Sequence, residues 1–119
     1  MISLFIPSLP GLNTSTRRRH WSQQHKEAVQ WESLVWAEMA MAGQEKPTEP
    51  WEKVRCRLTR CSSRQPDYDN LVASFKVVLD SLVKNSVLAD DRPQNFTDGH
   101  PEYVWKKGSR GVRIELWDV

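Results

Sequence analysis

Two segments with helical periodicity limit what the rest of this 119-residue chain can form. Apolar residues recur at steps of three, four and seven over residues 21–42, and Gly43 stands where that helix should end. A second apolar stripe covers residues 70–84, and Asp69 is placed to cap its start. Each predicted helix has one apolar face, so both helices need another layer to pack against.

Short predicted strands supply that layer. Residues 54–59 alternate between apolar and polar side chains, which predicts a strand with one buried face and one basic face. The other predicted strands are residues 2–6, 103–107 and 112–117. The last two are expected to form a closing hairpin around Gly108 and Gly111. This order predicts a single α/β (α+β) domain in which two helices cover one mixed sheet.

Length and composition exclude several classes of protein. A chain of 119 residues has room for one compact domain. Its apolar runs are far shorter than the roughly 20 residues that span a bilayer, and we expect no signal peptide at its N-terminus. Cys56 and Cys61 form no paired metal-binding motif, so they are expected to be reduced thiols of a cytoplasmic protein.

Charge is unevenly distributed, although the net charge is only +2. Residues 65–105 contain seven acidic and three basic side chains, whereas the rest of the chain contains fourteen basic and eight acidic ones. This division suits a protein that holds phosphates with its bases and a divalent cation with its acids. An ordinary mixed surface explains the same charge pattern.

Four aspartates make the acidic segment a candidate metal site. Asp67 and Asp69 are two residues apart before the second helix, so in an extended segment their side chains point the same way. Asp90 and Asp91 follow beyond that helix, where they could add a further carboxylate. Carboxylate oxygens that leave room for water and phosphate suit Mg²⁺. Each pair taken alone is also explained as a helix cap or a solvated turn.

The predicted second helix adds a lysine to this acidic face. At about 100° per residue, Lys76 and Asp80 lie within about 20° of the direction of Asp69, opposite the stripe that contains Phe75. A lysine beside carboxylates can stabilise the negative charge of a phosphoryl transition state. The simpler interpretation is an ion pair between Lys76 and Asp80 on the helix surface.

Residues 64–91 resemble the signature of the RusA family of Holliday-junction resolvases. That signature contains D-x-D-N-L, a lysine, D-x-L and then D-D, which are found here at 67–71, Lys76, 80–82 and 90–91. The first part of the chain is also similar, with a Pro-rich loop, a basic segment and His20-Trp21 before a helix. The resemblance therefore covers nearly the whole chain.

The family resemblance implies a metal-dependent active site in which three aspartates hold Mg²⁺ and a lysine supports cleavage. The corresponding aspartates of this chain are Asp67, Asp69 and Asp91, and Asp90 is a further candidate ligand. The best-known family pattern has its lysine four residues after the second aspartate, where this chain has Ala73. Lys76 matches that lysine if residues 72–74 are an insertion.

The resemblance also implies a bacterial or phage-encoded homodimer that acts on four-way DNA junctions, since symmetric cuts on two strands need two active sites. The predicted reaction is Mg²⁺-dependent, structure-selective phosphodiester hydrolysis in DNA recombination and repair. Candidate contacts with DNA phosphates are Arg17, Arg18, Arg19, Arg55, Arg57, Arg64, Lys106 and Lys107. Two alternatives remain open: a small Mg²⁺-dependent phosphohydrolase of free nucleotides, and a catalytically silent DNA-binding protein of the same fold.

Overall fold

The computed structural model describes residues 1–12 and 21–119. Its elements, in chain order, are strand β1 (Ile2–Ile6), helix α1 (Trp21–Met41), strand β2 (Val54–Ser62), helices α2 (Tyr68–Ser74) and α3 (Lys76–Lys84), a 3₁₀ turn (Pro93–Asn95), and strands β3 (Glu102–Lys107) and β4 (Gly111–Asp118). The architecture is a mixed four-stranded sheet with helices packed on it, which confirms the predicted α+β class. In the described part of the chain, no helix is long and apolar enough to cross a membrane.

Strand β2 lies inside the sheet, and its position overturns the predicted closing hairpin. The strand order is β1-β4-β2-β3, with β4 antiparallel to both β1 and β2, and β3 parallel to β2. The Gly108 amide donates a hydrogen bond to the Ser62 carbonyl at 3.4 Å, so the short connection from β3 to β4 crosses the end of β2. The hairpin prediction is wrong because turn residues indicate a chain reversal without identifying the strand that completes the hydrogen bonds.

The core lies between one face of this sheet and the helices. Alternate residues of β1, β2 and β4 are buried, as their period of two predicts: Ile2, Leu4, Ile6, Val54, Cys56, Leu58, Val112, Ile114 and Leu116. Burial of these apolar side chains against the helices is the main favourable contribution to folding.

Helix α1 contributes one apolar face to this core and ends where the sequence predicts. Trp31, Val35 and Met39 are buried at helical spacing. Gly43 has a φ of +66°, and the Gln44 amide donates to the Met39 carbonyl at 2.9 Å. Glycine adopts this left-handed conformation without a steric penalty, which is why the helix ends here.

The predicted second helix is divided at Phe75. The Ser74 hydroxyl donates to the Leu71 carbonyl at 2.7 Å, and the Phe75 amide donates to the Val72 carbonyl, three residues back. A side-chain hydrogen bond of this kind competes with the backbone ladder of an α-helix. A new helix begins at Lys76, so the expectation of one continuous helix is wrong at this point. The apolar stripe on both sides of the break is buried, as predicted.

Candidate functional site

The chain reaches the predicted acidic site from the end of β2. Residues 63–66 connect β2 to α2, and Asp67 occupies the N-cap position of α2 with a φ of −59° and a ψ of 147°. Asp69 lies in the first turn of that helix, so the expectation that Asp69 is the cap is wrong by two residues. Both carboxylates are exposed, and neither bonds to another described residue.

Lys76, the first residue of α3, connects two carboxylates. Its Nζ atom lies 3.1 Å from Oδ1 of Asp80, which confirms the ion pair expected on the helix surface. The same Nζ atom lies 2.6 Å from Oδ2 of Asp91, which is fifteen residues away in the chain. The structure therefore brings together two of the residues that the family resemblance assigns to the active site.

Hydrogen bonding and burial act against each other in this ion pair. The hydrogen bond to Asp91 is the main reason why the pKa of Lys76 is raised, and partial burial opposes it. Burial raises the pKa of Asp91, but the hydrogen bond and charge of Lys76 outweigh burial and hold that pKa below its usual range. Both groups are therefore charged at neutral pH.

Asp90 holds the turn that presents Asp91. Its Oδ1 atom accepts a hydrogen bond from the Asp91 amide at 2.8 Å, and its Oδ2 atom lies 2.8 Å from Nε of Arg92. Both carboxylate oxygens are thus occupied by protein groups. Asp90 acts here as a positioning residue, and its role as a metal ligand stays a prediction.

A cleft of about 520 Å³ lies beside the contact between Lys76 and Asp91. It is lined by Val72, Ala73, Lys76, Leu79, Asp91, Arg92, Pro93 and Tyr103. The Tyr103 ring is half-buried with its centre 5.9 Å from that of Phe75, and burial raises the pKa of its phenol to about 12. Tyr103 is not among the site residues predicted from the sequence, although a tyrosine in a predicted strand, with an apolar ring and a polar hydroxyl, was a usable signal.

Tyr103 also lies close to both acidic segments. After burial itself, neighbouring side chains that include Tyr68 and Asp91 raise the pKa of Tyr103 further. Tyr68, which stands between Asp67 and Asp69 in the chain, lines one cleft together with Tyr103, and Asp91 lines another cleft together with Tyr103. Within residues 1–12 and 21–119, however, no three His, Cys, Asp or Glu side chains are close enough together to hold a metal ion. Convergence of the three aspartates on one ion stays a prediction.

The candidate DNA-binding residues fall into three groups. Arg17, Arg18 and Arg19 lie outside the described residues. Three others lie on the sheet face away from the core: Arg55, Arg57 and Lys106. The last two, Arg64 and Lys107, are exposed just after β2 and at the end of β3.

Part of the positive charge on the open sheet face is balanced locally. Nε of Arg57 lies 2.9 Å from Oε2 of Glu102, and its Nη1 lies 3.8 Å from Oε1 of Glu115. The Arg55 guanidinium lies 5.0 Å from the centre of the Trp117 ring. Because Arg57 already faces two carboxylates, it attracts a phosphate less than the lysine and arginine at the strand ends do.

Comparison with known proteins does not assign the chain to a family. No protein-family model matches it, and a comparison with curated protein sequences gives no significant match. The resemblance to the RusA family therefore depends on the motif residues themselves.

Proposed function

We propose that this chain is a Mg²⁺-dependent, structure-selective endodeoxyribonuclease that resolves four-way DNA junctions. The observation that carries the proposal is the 2.6 Å contact between Lys76 and Asp91 at the side of a cleft. The family motif assigns both residues to the active site, although they are fifteen residues apart. Two residues that matched the motif only by chance would have no reason to be in contact in the folded chain.

The donor set at this site suits Mg²⁺. Asp67 and Asp69 are exposed carboxylates with no partner among the described residues, and Asp91 lines the cleft together with Lys76 and Tyr103. Mg²⁺ prefers a few carboxylate oxygens and keeps several waters. These three aspartates would hold the ion, and Asp90 would join only by giving up one of its present contacts. When bound, the ion polarises a phosphoryl oxygen and lowers the pKa of water.

The protein itself contributes positive charge and hydrogen-bond donors to the cleft. Lys76 is protonated, as its raised pKa requires, and would donate to a phosphate oxygen as negative charge develops there. Asp91 and Asp80 hold its ammonium in place from two directions. The phenol of Tyr103, with a pKa of about 12, stays protonated and remains a hydrogen-bond donor at the cleft wall.

Junction resolution also requires a second active site. Paired symmetric cuts on two strands call for a homodimer with a two-fold axis, so we propose that the chain acts as a homodimer. Basic side chains at the strand ends would contact backbone phosphates, which carry no sequence information. Selectivity would then come from the shape of the junction.

A nicking assay on matched DNA substrates tests this proposal. A labelled synthetic four-way junction and a linear duplex of the same sequence are each mixed with the protein, in Mg²⁺ or in EDTA. Paired symmetric nicks are expected in the junction alone and only with Mg²⁺. Phosphate release from small nucleotide esters without DNA binding would instead indicate a phosphohydrolase.

Asp67→Asn and Asp118→Asn form a matched pair of variants, because each removes one exposed carboxylate and only the first is in the site. Asp67→Asn should abolish nicking and retain junction binding, since it removes negative charge near the DNA. Asp118→Asn should cut like the wild type. Normal cutting by Asp67→Asn would show that the site is assigned wrongly, and binding by a wild type that never nicks would favour the catalytically silent alternative.

A further inference from the structure

One end of the sheet collects basic residues from three strands and their connections. The parallel strands β2 and β3 both end there, and β4 begins there, as the pairing of Ser62 with Lys107 and of Cys61 with Gly111 shows. Residues 60–65 and 105–113 contain six basic side chains and no acidic one: Arg60, Arg64, Lys106, Lys107, Arg110 and Arg113. Sequence separation conceals this cluster, and the topology of the sheet creates it.

Arg60 is the unusual member of the cluster because it is buried. Only 5% of its surface is exposed, because it follows Leu58 on the core side of β2. Its Nη1 atom donates to the Pro10 carbonyl at 2.8 Å. Its Nε atom is buried and has no hydrogen-bond partner among residues 1–12 and 21–119. A buried donor left without an acceptor is destabilising, so this nitrogen calls for an explanation.

The described part of the chain places no carboxylate against this guanidinium. Among the described residues no carboxylate forms an ion pair with Arg60, and residues 13–20 contain neither Asp nor Glu. Burial is the main reason why the pKa of Arg60 is lowered, and the charge of Arg110 lowers it further. Arg60 stands opposite Val112 in the pairing of β2 with β4, so Arg110, two residues before Val112, lies at the same end of the sheet. Two cations at one end of the sheet without an acid between them favour an anion there.

We propose that Arg60 and Arg110 form a binding site for a phosphate group. A guanidinium presents several N–H donors in a plane that matches phosphate oxygens, and Arg60 still has an unused donor. Arg110 is exposed in the connection between β3 and β4 and contributes the second charge. This assignment rests on the proposed function: the phosphate belongs to the DNA backbone, and it is bound near the chain segment that leads into Asp67.

Inorganic phosphate tests the anion site without DNA. Thermal unfolding of the full chain is compared in sodium phosphate and in sodium chloride of equal ionic strength. Phosphate should raise the unfolding midpoint of the wild type, because a ligand that binds only the folded state stabilises it. Arg110→Gln should lose this rise. Lys53→Gln, which removes an exposed charge at the opposite end of β2, should retain it.

Junction binding in EDTA tests whether the phosphate belongs to DNA. Arg110→Gln should weaken binding about tenfold, as expected for loss of one charge-assisted contact. It should also reduce the slope of log affinity against log salt concentration by about one. Lys53→Gln should bind like the wild type. Arg60→Lys, which retains the charge and loses the planar donor set, should weaken binding in the same direction.

The two assays separate this inference from the proposed function. If phosphate stabilises the wild type through Arg110 but no junction is bound, the anion site stands, its source is free phosphate, and the proposed nuclease function fails. If the wild type cuts junctions while phosphate has no effect and Arg110→Gln binds normally, the anion site is disproved and the nuclease function survives. A folded Arg60→Lys variant that matches the wild type in both assays would show that Arg60 serves only to hold Pro10.

Discussion

The ammonium of Lys76 lies 2.6 Å from Oδ2 of Asp91, so the first residue of α3 is joined to the loop that follows the same helix. The break at Phe75 places Lys76 at a helix start rather than in a helix interior. From there it contacts Asp80, one turn further along α3, as well as Asp91. One lysine thus connects the helix surface with the turn held by Asp90.

Loss of this lysine should affect catalysis far more than folding. We expect Lys76→Met to slow junction nicking by about 10²–10³-fold, the usual effect of removing a group that stabilises transition-state charge. The free energy of unfolding should change by less than about 1 kcal/mol, because Lys76 is exposed and an ion pair made by an exposed side chain contributes little. Single-turnover nicking and urea unfolding measure the two effects. Lys84→Met, at the exposed end of α3, is the control and should change neither the nicking rate nor the free energy of unfolding.

The ion pair between Lys76 and Asp91 should stabilise the fold only within a window of pH. The pKa of Asp91 is lowered in the folded protein, so its contribution is present above about pH 4 and is lost as pH falls through the folded pKa. The pKa of Lys76 is raised, so its contribution is complete below about pH 10.4 and is lost as pH rises through the folded value.

Urea unfolding of the wild type and of Asp91→Asn checks this window. The difference between the two proteins should be largest near neutral pH and should shrink as the pH falls below about 4, where the carboxyl group is protonated first in the unfolded state and then, at lower pH, in the folded state. Asp118→Asn, an exposed aspartate at the end of β4, provides the comparison. A difference between wild type and Asp91→Asn that stays constant with pH would contradict the assignment.

Two glycines near the β3–β4 connection should respond very differently to alanine. A Cβ atom on Gly111 would overlap the Phe5 ring and lie 2.8 Å from the Ile6 carbonyl oxygen, whereas a Cβ on Gly108 would meet nothing within 4 Å. Gly111→Ala should therefore lower the free energy of unfolding by about 1–3 kcal/mol. Gly108→Ala should be nearly neutral. Equal urea midpoints for the two variants would show that β1 and β4 do not approach as closely as described.

The two cysteines should react with a thiol reagent at different rates. Cys56 is buried, and burial raises the pKa of its thiol to about 12, so almost no thiolate is present at about pH 8. We expect one thiol of the native protein, that of the half-buried Cys61, to react rapidly with the reagent, and both thiols to react after denaturation. Cys61→Ser should show no rapid reaction. A rapid reaction of that variant would mean that Cys56 is accessible.

The candidate site was only partly visible in the sequence. The motif identified Asp91 and Lys76, but the apolar stripe does not signal the helix break that places Lys76 at the start of α3. The Ser74 hydroxyl bonds back to the Leu71 carbonyl at that break, but Ser81 makes the same kind of bond to Val78 inside the unbroken helix α3, so a serine at this position does not signal a break. Arg60 was missed for a different reason. A basic residue at an inward position of a strand, after Val54, Cys56 and Leu58, was the available signal.

The spacing of apolar residues, together with the glycine and turn residues that end helices and strands, was enough to predict the helices, the strand segments and most of the core. These features depend on neighbours within a few positions of the chain. The pairing of β2 with both β3 and β4, the contact of Lys76 with Asp91 and the burial of Arg60 were decided only by the folded chain. Each of these requires segments far apart in sequence to compete for the same hydrogen bonds or the same interior space. No local pattern records the outcome of that competition.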